Sequence, residues 1–446
     1  MLGHVGPDEL CVEAVHRFPN EPVRTPGGLY WDIDELFRQV VIGLRRAIAR
    51  APDLVSIGID SWAVDYGLLR GGELVGPPHH YRDERNARGV AAVHAVVSQP
   101  DLYAAGGLQF LPFNTLYQLT VDHLDGRLDE SVQMLMIPDL IGYWLTGVPS
   151  AERTNASTTG LLDLTTASWN HSLIERLGLP PTSFPPLADP GAVVGELSAD
   201  VMARIGASRP IPVVAVGSHD TASAVVAVPM AGREAAYISS GTWSLVGVEL
   251  DEPVLTDPSF TNEGGVDGRV RYLRNVMGMW LLSECIRTWE QDGSTVDLDR
   301  LLGEAALPGP VAVFDANHPS LLPAGDMPSR IAALCTGTAP QTPAEFARSI
   351  CESLAVAYAT VITDAERLSG VPIRVVHVVG GGSQNALLGQ LTADRTGRRV
   401  LAGPVEATAI GNVLVQARAA GLVSGSLEDL RALVARTHPS TVFEPR

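Results

Sequence analysis

Residues 212–228 carry the feature that most restricts how this chain can fold: a buried strand that stops in a small-residue turn and restarts as a helix. Ile211 and the run Val213-Val214-Ala215-Val216 are apolar and rich in β-branched side chains, which suits a covered strand. Gly217-Ser218 ends the run and His219-Asp220-Thr221 follows. The Ala- and Val-rich 222–228 then continues as a helix for which Asp220 or Thr221 is a suitable N-cap. Asp220 has two readings at this point. It either satisfies backbone N–H groups as a cap, or it is a carboxylate presented at a strand's end.

The same alternation recurs along the chain. Residues 1–18 read as edge strands, and Asp32 is placed to cap a helix over 33–50 whose Leu36, Val40, Leu44 and Ile48 form one stripe. Val55, Ile57 and Ile59 alternate into a strand that delivers Asp60, Ser61, Trp62 and Asp65 at its carboxyl end, the usual place for ligand groups in an open α/β sheet. A tryptophan between two aspartates suits a sugar. Tyr81-Arg82-Asp83-Glu84-Arg85 reads by default as a solvated helix start. Helices are expected over 107–119 and 134–145, and turns with short strands over 154–163.

The pattern restarts after Pro229, which places the domain boundary between 1–228 and 229–446. In the second half, Ser239-Ser240-Gly241-Thr242 is a strand–turn–strand element whose backbone N–H groups and hydroxyls suit a phosphate. A long helix is expected from Asn275 through Trp289, and a second, amphipathic one over 346–368. A strand over 373–379 runs into Gly380-Gly381-Gly382-Ser383, which leaves room for a nucleotide beside a helix start. These glycines are not GxGxxG, so a dinucleotide fold is a poor match.

Composition narrows the chemistry. The chain has 446 residues and no lysine, so all 32 basic residues are arginine. Schiff-base chemistry, a Walker A lysine and a protein-kinase lysine are therefore excluded. Phosphate must be handled by backbone N–H groups, hydroxyls, arginine or Mg²⁺. A formal net charge of −18 argues against nucleic-acid and anionic-membrane partners, and no run reads as a membrane span or signal peptide. A cytoplasmic location is expected. Cys11, Cys285, Cys335 and Cys351 lack metal-ligand spacing, and the last two are expected to be reduced thiols. Two α/β domains across a cleft that unites Asp220, the SSGT turn and the GGG turn have the layout of a nucleotide-dependent transferase that works by closure.

At this level of detail the chain resembles the FGGY carbohydrate kinases, which share the actin and hexokinase type of ATPase fold. The likeness rests on Pro138-Asp139-Leu140, Leu145-Thr146-Gly147, the stretch from Thr154 to Gly160, Gly380 to Gly382, and Glu406 with Gly411. It extends to GIDSWAVD, YRDER, QFLPFNTLYQL, SHDTASAV, SSGTWSL, TNEGG and GGGSQN. The resemblance implies a two-domain α/β fold with a sugar-binding first domain and a nucleotide-binding second one. It implies ATP and Mg²⁺ as cofactors and a ketose as substrate. Asp220 would accept the proton of the sugar hydroxyl, with His219, Thr221, Asn275 and Ala63 around the sugar; the family usually has glycine at the last of these. Thr242 and Gly381 would contact ATP, while a position usually glutamine falls on Ser283. Kinases of this fold also begin with a strand and a DxGxxS-type phosphate turn that has no counterpart here. An unpaired neighbour in the first sheet and weakened ATP binding are the corresponding expectations.

Overall fold

In the computed structural model, which describes residues 1–309 and 311–446, the strand expected near Val213 spans Pro212–Val214. It is the middle of three strands. Val193–Glu196 pairs with it antiparallel, and Ile57–Gly58 pairs with it in parallel through Val213 opposite Ile57 and Val214 opposite Gly58. Of the strand expected around Val55 to Ile59, only Ile57–Gly58 is paired. The hairpin of Leu2–Gly6 and Glu9–Glu13 is a separate two-stranded sheet. Leu2, Val40, Leu44, Ile57, Asp60 and Asn412 are among the residues that line a cavity of about 720 Å³.

The chain divides into two compact units. The first comprises Met1–Ala227, Leu250–Arg271 and Thr408–Leu433; the second comprises Val228–Glu249, Tyr272–Ala407 and Val434–Arg446. In the first, helix Ile33–Arg50 is capped as expected, since the Asp32 carboxylate accepts from the Glu35 N–H at 3.1 Å. Leu36 and Ile48 are buried against Ile57, Leu140, Ile141 and Val213, with Val40 and Leu44 packed beside them. A second core gathers Leu68, Leu116, Leu119, Met134 and Ile174.

Two expected helices of this unit begin later than the apolar pattern suggested, for the same reason. The stretch 134–145 is split into strand Val132–Met136 and helix Ile137–Thr146, because Pro138 fits only a helix's first turn and the helix therefore cannot extend back through it. Pro112 likewise cannot lie inside a helix begun at 107, and in 107–119 the helix runs only from Thr115 to Leu124.

The second unit is organised on the hairpin Ala235–Ser240 and Trp243–Leu250, with Ser240 opposite Ser244. Ala235–Ser240 runs parallel to Val375–Val379, which runs parallel to Arg399–Ala402; the last pairs antiparallel with Thr441–Phe443. Helix Pro343–Ser369 opens on a capping box between Thr342 and Glu345 and closes at a left-handed Gly370. Asn275 does not open a helix. It lies in strand Val270–Met277, and the helix starts at Trp280, after Gly278 has turned the chain against Gly241 and Trp243, where a Cβ would come within 2.8 Å of backbone. All four cysteines are free. Among the described residues no helix is long and apolar enough to cross a membrane.

Candidate active site

Parallel pairing of Pro212–Val214 with Ile57–Gly58 brings two motif loops to the same end of one sheet. Beyond the strands the loops stay joined: the Ser61 N–H donates to the Ser218 carbonyl and the Asp220 N–H to the Ser61 carbonyl, each at 2.9 Å. GIDSWAVD and SHDTASAV are therefore one site, at the carboxyl ends of adjacent parallel strands. Helix Asp220–Val226 begins with Asp220, and His219 occupies the N-cap position without a side-chain cap bond. The Asp220 carboxylate is thus not consumed as a cap. Its Oδ1 accepts from Thr221 Oγ1 at 3.1 Å and faces His219 Nε2 at 3.4 Å, and 48% of the side chain is exposed. A carboxylate oxygen remains for a substrate hydroxyl.

Glu152 fixes the loop before it. This buried carboxylate accepts from Ser218 N–H at 2.9 Å, Ser218 Oγ at 2.8 Å, Thr154 N–H at 2.8 Å, Thr154 Oγ1 at 2.6 Å and Asn155 N–H at 3.1 Å. Burial still raises its pKa above the usual range, against those hydrogen bonds. Asp139 accepts from the Glu152 N–H at 3.0 Å, and burial, together with the nearby Glu152 charge, raises its pKa well above the usual range. The Pro-Asp-Leu motif therefore supports the clamp on the Ser218 loop. No pattern in the sequence marked Glu152.

Behind His219 stands a second charged pair. Nη2 of Arg271, a residue with no exposed side-chain surface, lies 3.0 Å from both His219 Nδ1 and Glu263 Oε2. The Arg271 Nε–H donates to the Gly264 carbonyl at 2.9 Å. Burial opposes ionisation of Glu263, yet the neighbouring Arg271 charge prevails and its pKa lies below the usual range. TNEGG was visible in the sequence as a motif; its partner Arg271 was not.

Ala63 sits in the turn beside Ser61, and the next residue, Val64, has φ of +69°. A β-branched residue in this region is strained and needs support. The Val64 carbonyl accepts from Thr115 Oγ1 at 2.9 Å and Gln118 Nε2 at 3.2 Å, and the Ala63 carbonyl from the Asp65 N–H at 2.9 Å. Asp65 is fully buried and accepts from Trp31 Nε1 at 2.6 Å, Trp62 Nε1 at 3.0 Å, Tyr81 N–H at 3.2 Å and Gln118 Nε2 at 3.2 Å. It gathers a chain of rings: Trp31 lies 4.4 Å from Trp62 and 4.3 Å from His80, and Tyr81 continues to Phe113 at 5.2 Å. The YRDER run does lead into a helix, Asn86–His94, with Arg85 at its N-cap, but most of it is part-buried against this wall and not solvated. Asp83 accepts from the Leu29 N–H at 2.5 Å, and Arg85 pairs with the buried Asp122 at 2.6 Å.

Asp60 and Asp65 are both pushed up to about 6, chiefly by burial. For Asp60 the charge of Asp220 adds to the rise and a hydrogen bond from Asn412 opposes it. The ordinary value is 3.8, so folding disfavours the ionised form. This penalty is absent below the unfolded value of 3.8, grows as pH rises from there to about 6, and is complete above that. Replacing Asp60 by asparagine is expected to shift stability in the variant's favour by about 1–3 kcal/mol between about pH 4 and about pH 8. Asp65→Asn should give no such gain, because four N–H donors converge on a carboxylate that an amide would answer partly with its own N–H. Thermal unfolding at the two pH values checks both; a wild-type-to-Asp60→Asn difference independent of pH would refute the first.

In the second unit, Thr242 is exposed at the tip of the hairpin turn. The turn's carbonyls are taken by the following helix: Met279 N–H donates to Gly241 at 3.0 Å and Trp280 N–H to Thr242 at 3.1 Å. The GGG turn packs on the same strand end. Gly380 has φ of +84°, and a Cβ there would lie 2.8 Å from the Ser240 carbonyl oxygen; one on Gly382 would lie 2.0 Å from Ser240 Oγ. Gly381 alone faces open space, with no atom within 4 Å of an added Cβ. Asn275 is half-buried on strand Val270–Met277, close in sequence to Gly278, which contacts the same turn. The expected residues therefore form two sets: Ala63, His219, Asp220 and Thr221 in the first unit, and Thr242, Asn275 and Gly381 in the second.

Both halves of the chain match known proteins. Residues 13–227 match the N-terminal domain of the FGGY family of carbohydrate kinases and residues 236–420 its C-terminal domain. The chain is 42% identical to a rhamnulokinase of Pectobacterium atrosepticum over 99% of this chain and 89% of that protein. It is 39% identical to one of Bacteroides thetaiotaomicron, over 100% and 93%. In structure it is similar to a ligand-bound xylulose kinase of Lactobacillus acidophilus, with a TM-score of 0.78 at 16% identity over 96% and 88% of the two chains. The glycerol kinase of Plasmodium falciparum with ADP gives 0.78 at 15% identity over the same shares. The fold is therefore the two-domain, actin- and hexokinase-like one, and the chain belongs to the FGGY family of carbohydrate kinases.

Proposed function

We propose that this chain transfers the γ-phosphoryl group of ATP to L-rhamnulose, forming L-rhamnulose 1-phosphate in rhamnose catabolism. The observation that carries the reading is Asp220: a half-exposed carboxylate at a helix start that caps nothing, on a loop whose backbone is held by Glu152 and Ser61. Asp220 takes the proton of the primary hydroxyl as the oxygen attacks, which is worth about 10²–10⁴-fold. His219 and Thr221 flank the sugar, the Ala63 turn meets it through backbone, and Asn275 adds a hydrogen bond. Trp62, a part-buried ring of the aromatic wall ordered by Asp65, supplies an apolar face for the sugar's carbon edge.

Thr242 and the open Gly381 turn would hold the nucleotide, which when bound supplies the phosphoryl group, with Mg²⁺ offsetting its charge. Among the described residues no cluster of three or more His, Cys, Asp or Glu side chains could hold a metal alone. Mg²⁺ in phosphoryl transfer is held by one or two carboxylates together with phosphate oxygens and water. Asp60, near enough to Asp220 for that charge to raise its pKa, is the carboxylate that would be suited to it. Release of ADP measured with L-rhamnulose, L-fuculose and xylulose tests the reading. L-Rhamnulose is expected to give the highest kcat/KM; preference for another ketose would reassign the substrate, and no release with any would overturn the proposal.

A further inference from the structure

The proposed base stands at the end of a chain of polar groups, Glu263, Arg271, His219 and Asp220, of which Glu263 and Arg271 have no part in the reaction as described above. A guanidinium has only donors, so the ring nitrogen 3.0 Å from Arg271 Nη2 must offer its lone pair. That nitrogen is His219 Nδ1. The competing arrangement, an Nδ1–H donating to Glu263 Oε2 at 3.3 Å, would set one N–H against another, and its distance is the longer of the two. In a neutral imidazole the proton then sits on Nε2, which faces Asp220 Oδ1 at 3.4 Å. Among the described residues, the charged and titratable groups facing His219 are Asp220, Glu263 and Arg271.

We propose that Arg271, held by Glu263, is a positioning residue for phosphoryl transfer: it fixes His219 with its proton on Nε2, and this N–H, with the Thr221 hydroxyl, holds Oδ1 of Asp220 so that Oδ2 meets the sugar. The inference rests on Asp220 being the base. With Arg271 removed, Glu263 draws the ring proton to Nδ1, and a lone pair then faces the Asp220 carboxylate and repels it.

The tautomer can be read directly. In protein labelled with ¹⁵N-histidine, the ring signals of His219, identified by their loss in His219→Gln, are expected to show a protonated Nε2 and an unprotonated Nδ1. A protonated Nδ1, or an exchanging mixture, overturns the proposal without any Arg271 variant having to fold. Arg271→Met is expected to move the proton to Nδ1 and to lower kcat by on the order of 10–100-fold, with a smaller change in the sugar KM. Arg271→Lys, which restores a donor, should recover most of the loss. Unchanged kcat in Arg271→Met sinks the positioning role. Should Asp220→Asn instead keep its turnover, the reading of the base has failed, and the two failures are thereby told apart.

Discussion

Asp220→Asn is expected to lower kcat by about 10²–10⁴-fold while leaving sugar affinity within a few-fold of the wild type. The amide keeps the size of the carboxylate and an oxygen to accept from Thr221 Oγ1, so the loop should keep its shape. What it lacks is the capacity to take a proton. Because 48% of the side chain is exposed and it caps no backbone group, the substitution should cost little stability. Turnover by a coupled assay and sugar binding by calorimetry separate the two effects, and near-wild-type kcat would remove Asp220 from its role.

Much of this fold was legible in the sequence because its signals are local. The helix at Ile33–Arg50, the hairpin around Gly241 and the strand before Gly380 each carry cap, turn or alternation chemistry within a few residues. Errors fell where an apolar run was long enough for either element. Around Met134 to Leu145 the deciding residue was one proline, and around Asn275 it was a sheet position next to Trp243–Leu250, which no local pattern encodes.

The site divides the same way. Asp220, Thr242 and the glycine turn announced themselves as polar or small residues at strand ends. The residues that hold them did not, since a buried clamp draws its partners from distant sequence. Glu152 reaches Ser218 across 66 positions and Arg271 reaches His219 across 52. Such contacts leave no periodic trace, and a lone glutamate or arginine is by default a surface residue.

Gly411 tests whether the helix that starts at Asp220 is held from behind. It lies in helix Ala407–Ala419, and a Cβ added there would be 1.8 Å from the Ser223 carbonyl oxygen and 3.1 Å from the Val226 Cβ. The obstacle is backbone, so no side-chain rotation relieves it. The helices would have to separate by more than about 1 Å in a close-packed interior. Alanine at 411 should gain about 1 kcal/mol in helix propensity and lose more to overpacking, and Gly411→Val should destabilise by about 3 kcal/mol or more. Helix glycine Gly303 provides the control, because nothing lies within 4 Å of its added Cβ. There the propensity term acts alone, and Gly303→Ala should stabilise by about 0.5–1 kcal/mol. Since the helix against Gly411 begins with Asp220, Gly411→Val should also depress kcat, whereas Gly303→Ala should leave it unchanged. Equal melting shifts for alanine at both glycines would show that the contact at Ser223 does not set the helix position.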